Sequence, residues 1–298
     1  MVTREEFQVL LVESGLGRIA DALSALCAPC VLVRTHPYSY GELPIGVSRI
    51  GGVPDLPPEV DWPHWHGQPL SFLAQFDLTT LSGFPCCQAL PESGHLWFFY
   101  NAEQSTWGFD PNDRGSWRVI YSETNRAALK RRDSPELPKH ARYLPCTLTF
   151  HDFVSIPGPE TLSVAPLQLT LDELEQLDEI EQDLHQMIES GSERQFEPHH
   201  QLLGHPKEIQ GEMQLECQLA ANGIYCGDAS GYQHQRLDAL QPGALDWRLL
   251  FQLDTDDDLG SGKPGMMWGD CGRLFFWIRN QDLAGRRFDD SWMILQCS

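Results

Sequence analysis

Two short stretches far apart in the chain carry the same unusual arrangement. FLAQFD (72–77) and LLFQLD (249–254) each set a glutamine between bulky apolar residues, two positions before an aspartate. An amide buried on a strand is costly unless its carbonyl and its NH2 both find partners. Three further pairs of segments match in the same order. IGGVPDLPP (50–58) pairs with LGHPKEIQG (203–211), a Gly–Pro turn after an apolar residue. SGHLWFFYNAEQ (93–104) pairs with CGRLFFWIRNQD (271–282), and FDPNDRGSWRVIY (109–121) with FDDSWMILQ (288–296). Four matched segments in one order point to an internal duplication. The Gly–Pro pair is offset by fewer residues than the other three, so the second half carries extra length after its turn, at residues 212–246.

Side chains alternate across a sheet. Strict alternation puts Phe72, Ala74 and Phe76 on one face and Leu73, Gln75 and Asp77 on the other. In the partner strand it sets Leu249, Phe251 and Leu253 against Leu250, Gln252 and Asp254. The irregular Gly–Pro segments have few ladder bonds of their own, so their backbone groups are natural partners for the two amides. Gln75 and Gln252 are expected to tie those segments to the sheet, with a ligand-facing amide as the alternative. Trp62, Trp97, Trp117, Trp268 and Trp292 lie in or beside the repeated blocks. Packing is their ordinary role, and beside Pro-rich loops such rings can also line a groove for an extended peptide.

The remaining pattern fits this β-rich frame. Residues 4–26 read as helix broken near Gly15 and Gly17, and CVLVR (30–34) as a strand. Residues 37–63 are punctuated by Pro and Gly and exclude a regular element. Strands are expected at 70–78, 95–102, 117–123 and 146–156. The clearest helix is LTLDELEQLDEIEQDLHQMIESG (169–191), with Thr170 and Glu173 as a capping box and Gly191 as terminator. Leu174, Leu177, Ile180, Leu184 and Met187 form its apolar stripe, and its other faces carry acids and no Lys or Arg. The expected fold class is mainly β (α+β): internally duplicated antiparallel β units, an N-terminal helix, and an acidic helix inserted between the halves. One domain spans 1–298, with a first repeat at about 40–156, a helical connector at about 157–195 and a second repeat at about 196–298.

There are 42 acidic and 21 basic residues, for a net charge of −21. Such a surface repels nucleic acid and anionic lipid and favours a basic protein partner. The first residues lack the basic and apolar regions of a signal peptide, and no apolar run approaches the roughly 20 residues needed to span a bilayer. Nine cysteines, an odd number in a large chain, fit reduced thiols in the cytoplasm.

Familiar site motifs fail on spacing. CAPC (27–30) ends a helix and enters a strand, the reverse of the thioredoxin arrangement. His64 and His66, and His199, His200 and His205, lack metalloprotease spacing. DTDDDLGSG (254–262) starts like a calcium loop but has Leu259 and Gly265 where Gly and Glu are required. GSGK (260–263) lacks the first Gly of a P-loop and is followed by Pro264. No catalytic residue, metal ligand set or cofactor is assigned.

The ordered set GGVPDLPPEVDWP, GQPLSFLAQFDL, GHLWFFY, LLGHPKEIQG, WRLLFQLD, MMWGDCGRLFFWIRNQDL and RFDDSWMILQC resembles the YwqG-like family of bacterial proteins of unknown function, over residues 40–298. The resemblance implies two related halves with strands exchanged between them, and no known catalytic residues. It also implies distant similarity to a eukaryotic group that chaperones a ribosomal protein, and some members accompany toxin–immunity systems. The expected function is a non-catalytic protein- or peptide-binding module, immunity-like or chaperone-like, with an acidic surface for a basic partner. Its binding candidates are Trp62, Gln75, His205, Gln210, Gln252, Trp268 and Asp270. The competing expectation is a metal-dependent or small-molecule enzyme using Asp270, His205 and Asp254.

Overall fold

Thr3 starts the chain's first helix. Its hydroxyl accepts from the Glu6 N–H at 3.1 Å, and the Glu6 carboxylate accepts from the Thr3 N–H at 2.8 Å. The computed structural model describes residues 3–38, 41–133, 135–161, 163–188, 198–257 and 264–298. Helices α1 (Arg4–Glu13) and α2 (Ala20–Leu26) break around Gly15 and Gly17, as the pattern predicts, and lead into β1 (Ala28–Pro37). The chain continues through β2 (Arg49–Ile50), β3 (Asp55–Leu56), β4 (His64–Trp65), β5 (Gln68–Asp77), β6 (His95–Asn101), β7 (Trp117–Ser122) and β8 (Lys130–Arg131). Then come β9 (Cys146–Ser155), the acidic helix α3 (Leu171–Ile188), β10 (His200–Leu202), α4 (Gln214–Ala221), α5 (Leu237–Leu240) and β11 (Trp247–Asp254). The chain ends with β12 (Arg273–Arg279), α6 (Asn280–Ala284) and β13 (Trp292–Gln296). The protein is mainly β, with an N-terminal helix.

One antiparallel sheet holds almost every strand, in the order β13-β12-β11-β10-β1-β9-β2-β5-β6-β7. β4 adds to β5, and β3 pairs with β8 apart from the sheet. The order and register are palindromic about the Arg34–Thr149 pair of β1 and β9. Outward on one side, β1 meets β10, which sets Gln201 opposite Gln252 of β11. Outward on the other, β9 meets β2, which sets Arg49 opposite Gln75 of β5. Each long central strand therefore lies beside the short strand that follows the other one in the chain.

A bulge overturns the strict alternation expected for the two glutamine strands. Register shifts between Phe72 and Ala74 in β5 and between Leu249 and Phe251 in β11. One extra residue reverses the facing of what precedes it. Phe72 consequently packs with Leu70, Trp97 and Phe99, while Phe76 joins the main core. The unpaired residue, Leu73 in one strand and Leu250 in the other, stands two positions before the glutamine in both, so the exception recurs.

The arms curve toward each other and nearly close the sheet. The Trp117 and Trp292 rings meet edge to face at 4.9 Å. Trp117 Nε1 donates to Ser291 O at 3.1 Å, and Trp292 Nε1 donates to Gly108 O at 2.8 Å. At Gly108, φ is +87° and an added Cβ would lie 1.9 Å from Met293 O, so only glycine allows this approach. The enclosed space is filled by rings from both arms. Phe251 packs against Phe98 at 4.8 Å and Phe76 at 5.1 Å, and Phe98 against Phe276 at 5.1 Å.

A second apolar layer covers the outer face of β1 and β9. α3 lays Leu177, Ile180 and Leu184 against Phe7, Leu11 and Leu23 of α1 and α2 and against Leu32 and Phe153. Each such burial is worth about 1.5–3 kcal/mol, enough to hold a helix whose other faces are charged. The Thr170–Glu173 capping box forms as predicted, and Glu173 also pairs with Arg18 at 2.6 Å. The Met187 side chain and Gly191 lie outside the described residues.

Candidate functional site

The two glutamines hold two turns by the same hydrogen bonds. Gln75 Oε1 accepts from the Asp55 N–H and its Nε2 donates to Val47 O, both at 2.8 Å. Gln252 Oε1 accepts from the Lys207 N–H at 2.8 Å and its Nε2 donates to His199 O at 2.6 Å. The residue opposite each glutamine supports the same carbonyl of its turn. Arg49 Nη1 donates to Val53 O at 3.1 Å, and Gln201 Nε2 donates to His205 O at 2.8 Å. Hydrogen bonding thus makes Asp55 and Lys207 equivalent positions, and Gly51–Gly52 equivalent to Leu203–Gly204. All four of those turn residues have φ between 61° and 75°.

Chemistry separates the two turns. In the first, Asp55 is fully buried and ion-paired with Arg49 and, at 2.9 Å, with Arg131, and it accepts from the Gly46 N–H at 2.7 Å. The cluster is sealed. In the second, Lys207 points outward to the acidic helix, pairing with Asp178 at 3.3 Å and with Glu181. Leu203 takes a left-handed conformation, rare for a branched residue and a recognised mark of a constrained site. A cavity of about 350 Å3 opens beside this turn, between α2, the 156–159 loop and α3. Leu23, Leu174 and Leu177 supply apolar wall, and Asp178, Glu181, Lys207 and Glu208 supply charge.

The electrostatics follow from burial among like charges. Burial and the neighbouring Glu212, Glu160 and Glu216 push the Glu208 carboxyl up to about 7. Burial also pushes Glu216 up to about 7, against a hydrogen bond from Tyr232 at 3.1 Å. Burial pulls the Lys207 ammonium down, but Glu181 and Asp178 outweigh it and leave its pKa above the ordinary value. In the cavity the carboxylates of Asp178 and Glu181 outnumber the one ammonium, that of Lys207.

The residues singled out from sequence are not gathered into one place. Gln75, Gln252 and Trp268 are fully buried with their polar atoms engaged, Trp268 Nε1 donating to Asp254 O at 3.1 Å. A ligand would not meet them. Trp62 is half-buried, its Nε1 donating to Leu70 O at 2.9 Å and its ring edge on Phe99 at 5.7 Å. His205 lies in the second turn, where its Nε2–H donates to Leu26 O at 2.8 Å and burial holds its pKa below the ordinary value. Gln210 is exposed, and its backbone N–H donates to Gln296 Oε1 at 3.0 Å. Asp270 is exposed on a turn, while Asp254 is buried against Arg273 at 2.9 Å. No hydrogen bond or ion pair among the described residues joins Asp270, His205 and Asp254.

Sequence reasoning missed Asp178, Glu181, Lys207 and Glu208 as one site. The lone Lys207 among acids, at the residue after Pro206, was the available signal. Of the remaining motifs, Asp256 accepts from Thr35 Oγ1 at 2.7 Å, whereas Asp258 and the GSGK run lie outside the described residues. Among the described residues no group of three or more His, Cys, Asp and Glu is placed to hold a metal ion. None of their helices is long and apolar enough to cross a membrane. In the short helical turn Pro85–Ala89, Cys86 Sγ lies 3.9 Å from Cys87 Sγ, and this hydrogen bond holds the Cys86 thiol below its ordinary pKa.

The nearly closed sheet and the glutamine-pinned turns define a β-rich class with its cavity at one turn. Within that class, the chain belongs to the family described as domain of unknown function DUF1963, whose model matches residues 48–297. No curated protein matches it significantly. The matched span starts at the threshold of β2, so α1, α2 and β1 lie before it although β1 sits at the centre of the sheet.

Proposed function

We propose that this protein is a non-catalytic binding module that takes a basic partner protein or peptide through the cavity beside the second turn. The observation that carries the reading is the lining of that cavity: apolar wall with Asp178, Glu181 and Glu208 against the single ammonium of Lys207. A lysine or arginine side chain suits such a site, because its methylene stem packs on apolar surface while its charge reaches the carboxylates. The net charge of −21 would steer a basic partner to this surface, with an on-rate that falls as salt rises. The resemblance to YwqG-like proteins, a cytoplasmic location and an immunity-like or chaperone-like role belong to the same proposal. Descent of the two arms from one duplicated unit is its structural counterpart. It is supported by the palindromic register, the repeated bulge and the paired glutamine bonds.

Fluorescence anisotropy with a labelled lysine-rich peptide and a neutral peptide of equal length tests this reading. The basic peptide should bind more tightly, lose affinity as salt rises, and lose about tenfold or more to a variant combining Glu181→Gln and Glu208→Gln. Equal binding of both peptides, or undiminished binding by that variant, would remove the cavity as the site.

A further inference from the structure

We infer that Cys86 and Cys87 form a two-thiol chelating site for a trivalent arsenical. The pair lies in the helical turn Pro85–Ala89, away from the second turn's cavity, and uses none of its residues. Cys86 is half-buried and reachable. Cys87 is 5% exposed and lines a separate cavity of about 320 Å3 with Leu78, Leu81, Leu90 and Pro91. Their sulfurs stand 3.9 Å apart. A disulfide needs about 2.0 Å and a specific dihedral, so direct bonding would require the turn to deform. A single larger atom bonded to both sulfurs spans the gap with much less movement.

Arg248 of β11 is half-buried, and its side chain makes no hydrogen bond or ion pair among the described residues; burial holds its pKa below the ordinary value. Asp152 of β9 stands opposite Val31, which shares the main core with Cys87, whereas Cys30 packs in the outer layer on the other face of the sheet. Cys27 and Cys30, near each other in sequence, are split between a helix end and a strand, and Cys271 is exposed. The chemistry is condensation without electron transfer. An organic arsenoxide, R–As=O, gains two As–S bonds. The arsenic–oxygen bond breaks, and both thiol protons leave with that oxygen as one water. Arsenic stays trivalent throughout.

The probe is phenylarsine oxide added to the reduced full-length chain, with accessible thiols counted before and after and the adduct located by peptide mass mapping. One equivalent should remove two thiols on the peptide containing residues 84–90, reversed by a dithiol and not by a monothiol. Cys86→Ser and Cys87→Ser should each weaken binding about 100-fold, since the second bond is intramolecular in the native pair. Cys271→Ser should change nothing. Mapping on the native chain decides the matter even if a variant fails to fold. No adduct, or an adduct that maps elsewhere or survives Cys86→Ser, would overturn the inference.

Discussion

The first and second turns share a scaffold and differ in what fills it. Both are pinned by a buried glutamine through the same two backbone groups, and both run through two consecutive left-handed residues. The first closes over Asp55 and two arginines. The second carries a lysine at the same position, and that lysine reaches out to an acidic helix across a cavity. A fixed backbone solution has been used once for stability and once to leave a charged opening. Reversing one charge, from Asp55 to Lys207, separates the outcomes. An anion inside calls for inward cations, whereas a long cationic stem can exit to carboxylates on another element.

Charge removal at the two equivalent positions should break this comparison most visibly. Asp55→Ala strands Arg49 and Arg131 and is expected to cost about 3–5 kcal/mol in urea unfolding. Lys207→Met removes a side chain that is 38% exposed, and is expected to cost under about 1 kcal/mol. Equal costs would mean the second turn is as sealed as the first. Next come the pins. Gln75→Ala and Gln252→Ala each orphan a buried N–H and a carbonyl, so each should lose about 2–4 kcal/mol, and by similar amounts. A large loss at one and none at the other would end the structural equivalence of the arms.

Gly51→Ala sharpens the contrast in backbone. At φ 71° its new Cβ would lie 2.1 Å from Leu144 O, so a loss of about 2 kcal/mol is expected by thermal or chemical unfolding. At the equivalent place the second turn carries Leu203, a full side chain at φ 61°.

The second turn and helix α4 should also show a pH signature. Glu208 and Glu216 titrate near 7 in the folded state and near their ordinary value of 4.5 when unfolded. The folded protein then binds more protons between those values, so stability is lost as pH rises from about 4.5 to 7. Glu208→Gln should flatten that fall and stabilise the protein at pH 8 by about 1–2 kcal/mol. An unchanged stability–pH curve would show that Glu208 is more solvated than its neighbours indicate. The smallest effect belongs to the exposed ion pairs between the arms. Arg114→Ala and Arg118→Ala, facing Asp290 and Asp289, should each cost about 0.5 kcal/mol or less, and nothing at high salt.

Much of the frame was legible because its causes are local. The broken N-terminal helix, the capping box at Thr170 and Glu173, and the strands around both glutamines follow from nearby residues and periodicity. The glutamine pins were legible for an energetic reason, since an amide among apolar neighbours demands backbone partners. Register was not. Residue types align Ile50 with Leu203 and Trp117 with Trp292, whereas hydrogen bonding sets Gly51 against Leu203. Trp117 lies opposite Tyr100 and Trp292 opposite Trp277, one position out of step. Bulges moved Phe72 to the face opposite Phe76 for the same reason: one inserted residue leaves composition unchanged and reverses facing.

The cavity lay further out of reach. Its walls come from residues 23, 156–159, 169–181 and 206–208, segments that no spacing rule connects. By itself the chain determined a β-rich protein with two similarly built arms, an acidic helix and glutamines that must bond inward. Only the tertiary structure decided that the long strands cross to the opposite arm, that the acidic helix faces the second turn, and that Lys207 meets Asp178 and Glu181. Hydrogen-bond demand and periodicity act over a few residues and can be read in order. Which charges share a space depends on contacts between distant segments, and these exist only once the sheet has curved and nearly closed.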